Sequence, residues 1–319
     1  MNKFFAKIYN DGFTWHDSII FLAVQVFALE YIGGTLLYIL VRFFLDENSK
    51  IMQLFTYDPY WSLLFMYLYS LGPWLAIVVY CLVTKRNRPI LKAFTPMAKG
   101  NTILMFLFGI LLGFGENSLG ILAAKLHGDI DISFARFEFL PLLLMFVAVF
   151  IQSSSEELLC RGYMYQRLRK GYKSPWVAII GNSVFFMALH LLNPGISAIP
   201  IIHLVVIALF FSVFVYYFDS IWIPMAFHTA WNFTQNIIFG LPNSGIVSSY
   251  SVWKLLGARG QITFFYDPTF GVEGSAFLLI VTILSLLAVI LIGKKRGVKP
   301  IDVWADGHLL DMDIYTKYQ

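Results

Sequence analysis

The stretch FIQSSSEELLCRG sets two carboxylates side by side, Glu156 and Glu157, after a long apolar run, with Arg161 one helical turn further on. Adjacent residues on a helix diverge by about 100 degrees, so these acids cannot face one centre and must do different things. Glu157 precedes Arg161 by four residues, the favourable order for a helical ion pair. Glu156 has no partner in the local sequence. Two further pairs share a helical face: Phe186 and His190 in FFMALH, and His228 and Asn232 in HTAWN. A lone histidine in an apolar helix is ordinarily a packing donor, and a His/Asn pair can simply bridge helices. Here one unpaired carboxylate, two imidazoles and one carboxamide come from three separate apolar segments, and one shared site accounts for them better than four packing accidents. A carboxylate beside an imidazole can act as general base toward water. His and Asn side chains opposite can donate hydrogen bonds to the oxyanion formed when that water attacks a carbonyl. That set describes hydrolysis of an amide. No G-x-S-x-G, no H-E-x-x-H and no intramembrane aspartate pair occurs, so serine, zincin and aspartyl arrangements have no support.

Most of the chain must be helix in lipid to hold these residues. Of its 319 residues 58% are hydrophobic, 18% aromatic and 13% charged, and the mean hydropathy is +0.70. This is a membrane composition. The expected fold class is all-α, a polytopic membrane protein with about eight transmembrane helices, approximately 18–44, 60–83, 102–123, 139–160, 175–192, 197–218, 221–239 and 275–293. The first span is too long for a cleavable signal peptide and carries Glu30. Basic residues cluster after spans two, four and eight, and Lys3, Lys7 and Lys317 fall on the same side. Both termini are therefore expected in the cytoplasm, opposite acidic loops that include Glu47, Asp129 and Glu273. The net charge of +4 calls for no nucleic-acid partner, since anionic lipid and topology explain the basic clusters. The two cysteines, Cys81 and Cys160, make no disulfide framework.

The chain divides into N-terminal helices over 1–138, a core over 139–240 that carries the three motifs, and 241–319, which holds a loop, the last span and a tail. The polar, Gly-rich segment from Gly240 to Gly274 is expected as an outer-face loop or interfacial element. The tail with Asp302, Asp306, Asp311 and Asp313 is expected to be solvated. Arg167, Arg169 and Lys170 are expected to snorkel to headgroups at the end of span four. Glu30 and Glu116 read as packing or cavity-lining acids and His203 as an interfacial hydrogen-bonding residue. Asn182 either orients His190 or bridges helices. Counting about 1.5 Å per residue from Lys170, Pro175 and Asp219 puts Glu156 and His190 roughly 21 and 22 Å deep but His228 only about 12 Å, a gap that one shared site must absorb.

The ordered triple EELLCR, FFMALH and HTAWN resembles the CPBP family, the type II CAAX prenyl endopeptidase and Abi bacteriocin-processing intramembrane proteases, over about residues 139 to 240. The resemblance implies an endopeptidase with its site inside the bilayer, in which Glu156 activates water and His190 positions or polarises it. His228 and Asn232 would stabilise the oxyanion, Glu157 and Arg161 would be the supporting pair, and Phe186 would pack beside His190. It implies a metal-free mechanism with no cofactor ahead of a zinc site made by Glu156, His190 and His228, which would satisfy ligand count but leave no second carboxylate as base. The continuation WNFTQNIIFGLPNSG resembles bacterial members, so a bacterial cytoplasmic membrane and a membrane-embedded or lipid-associated peptide or protein substrate are expected. Two other functions use the same residues: a non-enzymatic bacteriocin-immunity or membrane scaffold protein, and a proton- or cation-coupled transporter.

Overall fold

The computed structural model describes residues 5–46, 49–297 and 300–304. Lys3, Glu47, Lys299, Lys317 and the tail acids Asp306, Asp311 and Asp313 lie outside the described residues. Eight apolar helical segments follow one another in the expected order. They are α1 (Ile19–Phe44), α2 (Pro59–Val83, bent where Tyr69 and Ser70 interrupt it), α3 (Ile103–His127), α4 (Phe139–Gly171), α5 (Pro175–Leu189), α6 (Ala198–Phe218), α7 (Trp222–Asn232) and α8 (Ala276–Arg296). Among the described residues six of these are long and apolar enough to cross a membrane, so the expected eight spans are not all confirmed. α5 and α7 are the short ones, at 15 and 11 residues. α5 stops where the Phe186 carbonyl is taken by a side chain and where Pro194 and Gly195 follow. α7 changes at Asn232 into a wider π-helical run, Phe233–Ile238. With six such helices the molecule is an integral membrane protein of the all-α class.

Local chemistry sets the helix ends. Ser18, Thr102 and Ser275 accept the amides of Phe21, Met105 and Leu278 at the starts of α1, α3 and α8, and Gly128 closes α3 with φ 79°. Glycine also sets the approach of the helices around the site. A Cβ on Gly109 or Gly113 of α3 would stand 2.5 Å from the Ile223 carbonyl oxygen or 2.4 Å from that of Phe227. α3 and α7 are therefore in backbone contact through a small-xxx-small stripe, the packing that membrane helices use where apolar burial gives no net drive.

The segment after α7 is the largest departure from expectation. Trp253–Ala258 is a strand, β2, paired antiparallel with β1, Ile130–Phe134, in the α3–α4 connection. Either side of β2 the chain folds back into the protein, burying Leu241, Tyr250, Tyr266, Phe270 and Val272. Its backbone polar groups are met internally: Asp267 accepts the amides of Thr269 and Phe270, and Asn236 donates to the carbonyls of Leu241 and Ile246. Asp129 ties the sheet to α3. It is buried, accepts Thr263 Oγ1 at 2.6 Å, and lies 3.1 Å from His127 Nδ1 and 3.3 Å from Arg259 Nε. Burial works to raise its carboxyl, but the Thr263 and His127 hydrogen bonds and the neighbouring charges outweigh it and hold the group below its ordinary range.

The opposite, basic end is also thicker than expected. Arg167 does not snorkel: it is buried with Nη2 2.6 Å from Asp17 Oδ1, and Gly171 packs on Asp17 and Phe13. Asn10 donates to the Lys170 carbonyl and Trp304 to that of Gln166, so chain from both terminal regions covers the end of α4. Arg169 and Lys170 are half-buried, beside the rings of Tyr216 and Trp304. Lys170 is therefore a poor marker for the lipid boundary, because α4 continues through a protein layer before it reaches solvent.

Candidate active site

Glu156 and Glu157 end the regular part of α4, and the helix widens into a π-helical run at Leu158–Met164 directly after them. A second run of the same kind follows Asn232 on α7. Such insertions redirect side chains within one helix and occur preferentially at functional positions. On α4 the π run does not break the pair read from the sequence: Arg161 Nη1 donates to Glu157 Oε1 at 3.1 Å, with both side chains fully buried. Arg161 also donates to the Ala208 carbonyl at 3.2 Å and lies 4.3 Å over the Phe186 ring.

Phe186 thus packs on two partners, since His190 lies 4.7 Å from its ring. The F-x-x-x-H spacing has a further local meaning. Helix C-termini leave carbonyls without partners, and His190 Nδ1 takes that of Phe186 at 2.8 Å. Because a carbonyl only accepts, Nδ1 carries a hydrogen here, and in the neutral ring Nε2 is then the acceptor. His228 is held by a different device. Its Nδ1 lies 3.0 Å from Glu157 Oε1, and its Nε2 lies 4.0 Å from Glu156 Oε2. Glu157 is accordingly more than the structural partner of Arg161, because it orients the imidazole that faces Glu156.

Glu156, His190, His228 and Asn232 line one cavity of about 280 Å³ with Glu30, Gln152, Asn193, Asn243 and Ser244 among the other walls. The depth difference counted along the sequence therefore does not keep these residues apart. Gln152, one turn before Glu156, donates to Glu156 Oε1. Glu156 Oε2 has no hydrogen-bond partner. Asn232 Nδ2 contacts Gln152 Oε1 at 3.1 Å and Ser153 Oγ at 3.3 Å, and its Oδ1 accepts from Asn243 at 3.2 Å. The carboxamide is fully engaged. It must release one contact to donate to a substrate.

Sequence reading missed the wall formed by Gln152, Asn243 and Ser244, and the residue behind it. Glu273, just before α8, is buried and accepts Ser244 Oγ at 2.9 Å, the Ser244 amide, and Trp231 Nε1 at 3.1 Å. It holds Ser244 at φ 47° and so fixes Asn243 over Asn232. Gln152 was discoverable from its position four residues before Glu156, whereas nothing local marks the other three. His203 lies outside the cavity, bonded to the Glu273 carbonyl at 2.6 Å and to Thr282 Oγ1 at 3.0 Å. Asn182 bridges helices through Ser212 Oγ at 2.8 Å. Glu116 also stays outside the cavity, buried on α3. Among the described residues no group of three or more His, Cys, Asp or Glu side chains is placed to hold a metal ion.

Helices of membrane-crossing length enclosing a polar, carboxylate-bearing cavity define a polytopic membrane protein with an internal polar site. Residues 138–234 match the family described as Type II CAAX prenyl endopeptidase Rce1-like, which supports the CPBP resemblance carried by the three motifs. All three motifs fall inside that match. No curated protein and no solved structure matches the chain.

Proposed function

We propose that this protein is an endopeptidase that cuts a membrane-associated peptide or protein within the bilayer, using groups of the chain alone. The observation that carries this reading is the convergence of Glu156, His190 and His228 on one cavity, with His228 oriented from behind by Glu157. Glu156 Oε2, free of other partners, takes a proton from water whose oxygen bonds to the scissile carbonyl carbon. His190 accepts the second hydrogen of that water at Nε2 and fixes its direction of approach. The carbonyl oxygen becomes an oxyanion. It receives Nε2–H of His228, whose Nδ1–H stays on Glu157, and Nδ2–H of Asn232. Glu156 then passes its proton to the leaving nitrogen as the C–N bond breaks, which releases an acid and an amine and restores the carboxylate. A bacterial cytoplasmic membrane, with the basic end inside, is the setting in which we place this chemistry.

The test is to reconstitute the full chain in liposomes with membrane peptides and read new N-termini by mass spectrometry for wild type and Glu156→Gln. Cleavage that disappears in the variant, with folding intact, supports the reading; equal cleavage by both proteins sinks it. Elemental analysis and chelator treatment accompany the assay. Stoichiometric zinc together with chelator-sensitive cleavage would overturn the metal-free mechanism.

A further inference from the structure

The cavity has an acidic wall that the family match does not contain. Glu30 sits on α1, far outside residues 138–234. It continues the inward stripe of Leu22 and Val26, while Phe27 and Tyr31 beside it face outward. Its carboxylate borders the cavity that holds Glu156. Among the described residues no hydrogen bond or ion pair engages it. No Lys or Arg lines the cavity, and Arg161, the nearest base on the motif helix, is committed to Glu157 and the Ala208 carbonyl.

An ionised carboxylate between membrane helices is costly unless a cation or a set of donors meets it. The protein supplies neither to Glu30, although it surrounds Glu157 and Glu273 with donors. Glu30 also stands across the same cavity from Glu156, so a bound cation would relieve the repulsion between the two as well as pair with one of them. Neighbouring Asn193 and Asn243 offer carboxamides to a peptide backbone. We propose that Glu30 is a specificity-determining residue that selects a lysine or arginine side chain of the substrate beside the scissile bond. The proposal rests on the endopeptidase reading for the bond that is cut, but the recognition of a cation can be measured without it.

The experiment uses the full chain in liposomes and a set of N-acetylated, membrane-inserted peptides that differ by one Lys, Arg, norleucine or Glu scanned along the sequence. Acetylation removes the terminal amine, so any preference belongs to the side chain. Binding is read by photocrosslinking and cleavage by mass spectrometry. Wild type is expected to favour Lys or Arg over norleucine at one position by on the order of tenfold in both readouts. Glu30→Gln is expected to bring that ratio close to one. Glu30→Asp should restore the preference in part and Glu30→Lys should shift it toward Glu. The proposal is overturned by a wild type with no preference for basic peptides. It is also overturned if Glu30→Gln keeps the preference, or if that variant loses all peptides equally while its thermal unfolding matches wild type. Failure of the endopeptidase reading looks different: a Glu30-dependent binding preference with no Glu156-dependent cleavage upholds the selection of a cation and discards hydrolysis.

Discussion

His228 Nδ1 lies 3.0 Å from the same Glu157 oxygen that receives Arg161 Nη1 at 3.1 Å. One buried carboxylate therefore fixes both a guanidinium from its own helix and an imidazole from α7. Removing its charge leaves a buried cation without its counter-ion and leaves His228 without the acceptor that sets its proton. Glu157→Gln is expected to destabilise the protein by about 3 kcal/mol, the scale for breaking a buried pair from one side. It should also reduce kcat/KM. Thermal unfolding and peptide cleavage on the same preparation check both parts. An unchanged midpoint would show that Arg161 finds another partner.

Asn232 and Asn243 form one hydrogen-bonded unit, and a double-mutant cycle tells positioning from direct contact. Asn232→Ala removes the proposed oxyanion donor and is expected to lower kcat/KM by on the order of a hundredfold. Asn243→Ala leaves Asn232 in place without its Oδ1 partner and should cost roughly tenfold. In the double variant the loss should equal that of Asn232→Ala alone, because Asn243 acts through it. Additive losses would place Asn243 in independent contact with the substrate.

Glu273 predicts a local effect on mobility. Its carboxylate holds the Ser244 amide and hydroxyl and the Trp231 indole, so Glu273→Ala frees three donors at once. Hydrogen exchange over residues 240–246 is expected to rise in the variant while that of α3 stays near wild type. Exchange that rises evenly across the protein would mean that Glu273 supports global stability rather than this cover.

The site was legible where chemistry repeats on one helical face. Two of the motifs set polar residues one turn apart in an apolar run and the third sets Phe186 one turn before His190, and four-residue spacing survives even the π turn after Glu157. Span positions were equally plain, since composition alone marks them. What stayed hidden depends on contacts distant in sequence. The Gly240–Gly274 segment read as an outer-face loop or interfacial element because it is polar and Gly-rich, yet its Ser, Asn and Asp residues bond within the protein, Ser244 to Glu273 among them, and much of it is buried. Arg167 read as a headgroup anchor because Asp17, its partner, lies far away in the chain. Glu157 and Arg161 were right as a pair and incomplete as a description, since the third member comes from α7.

Asp129 carries a pH dependence. Its carboxyl is held below the ordinary value in the folded state, so the unfolded chain binds a proton more readily. The stability it contributes is present above the unfolded value of about 3.9 and is lost as pH falls through the lower, folded one. The difference in thermal midpoint between wild type and Asp129→Asn should hold from about pH 7 to pH 5 and shrink on further acidification. A difference that stays constant down to that lower range would assign the effect to packing.

Gly113 sets how closely α7 approaches α3, and with it the placement of His228 and Asn232. A Cβ there meets the Phe227 carbonyl oxygen at 2.4 Å, a backbone atom that cannot turn aside as a side-chain end would. Gly113→Ala must push α7 outward, and overpacking of this kind costs about 1–3 kcal/mol. Because Phe227 immediately precedes His228, the shift should also lengthen the contact from His228 to Glu157, which belongs to α4 and does not move with α7. Gly120 supplies the comparison: on the same helix its Cβ would meet the methyl groups of Leu278 at 3.1 and 3.2 Å, at the end of a side chain that can rotate. Gly113→Ala is therefore expected to lose activity out of proportion to stability, and Gly120→Ala to lose little of either. Matched cleavage rates and unfolding midpoints for the two variants test this. Equal activity in both would show that the α3–α7 approach does not control the site.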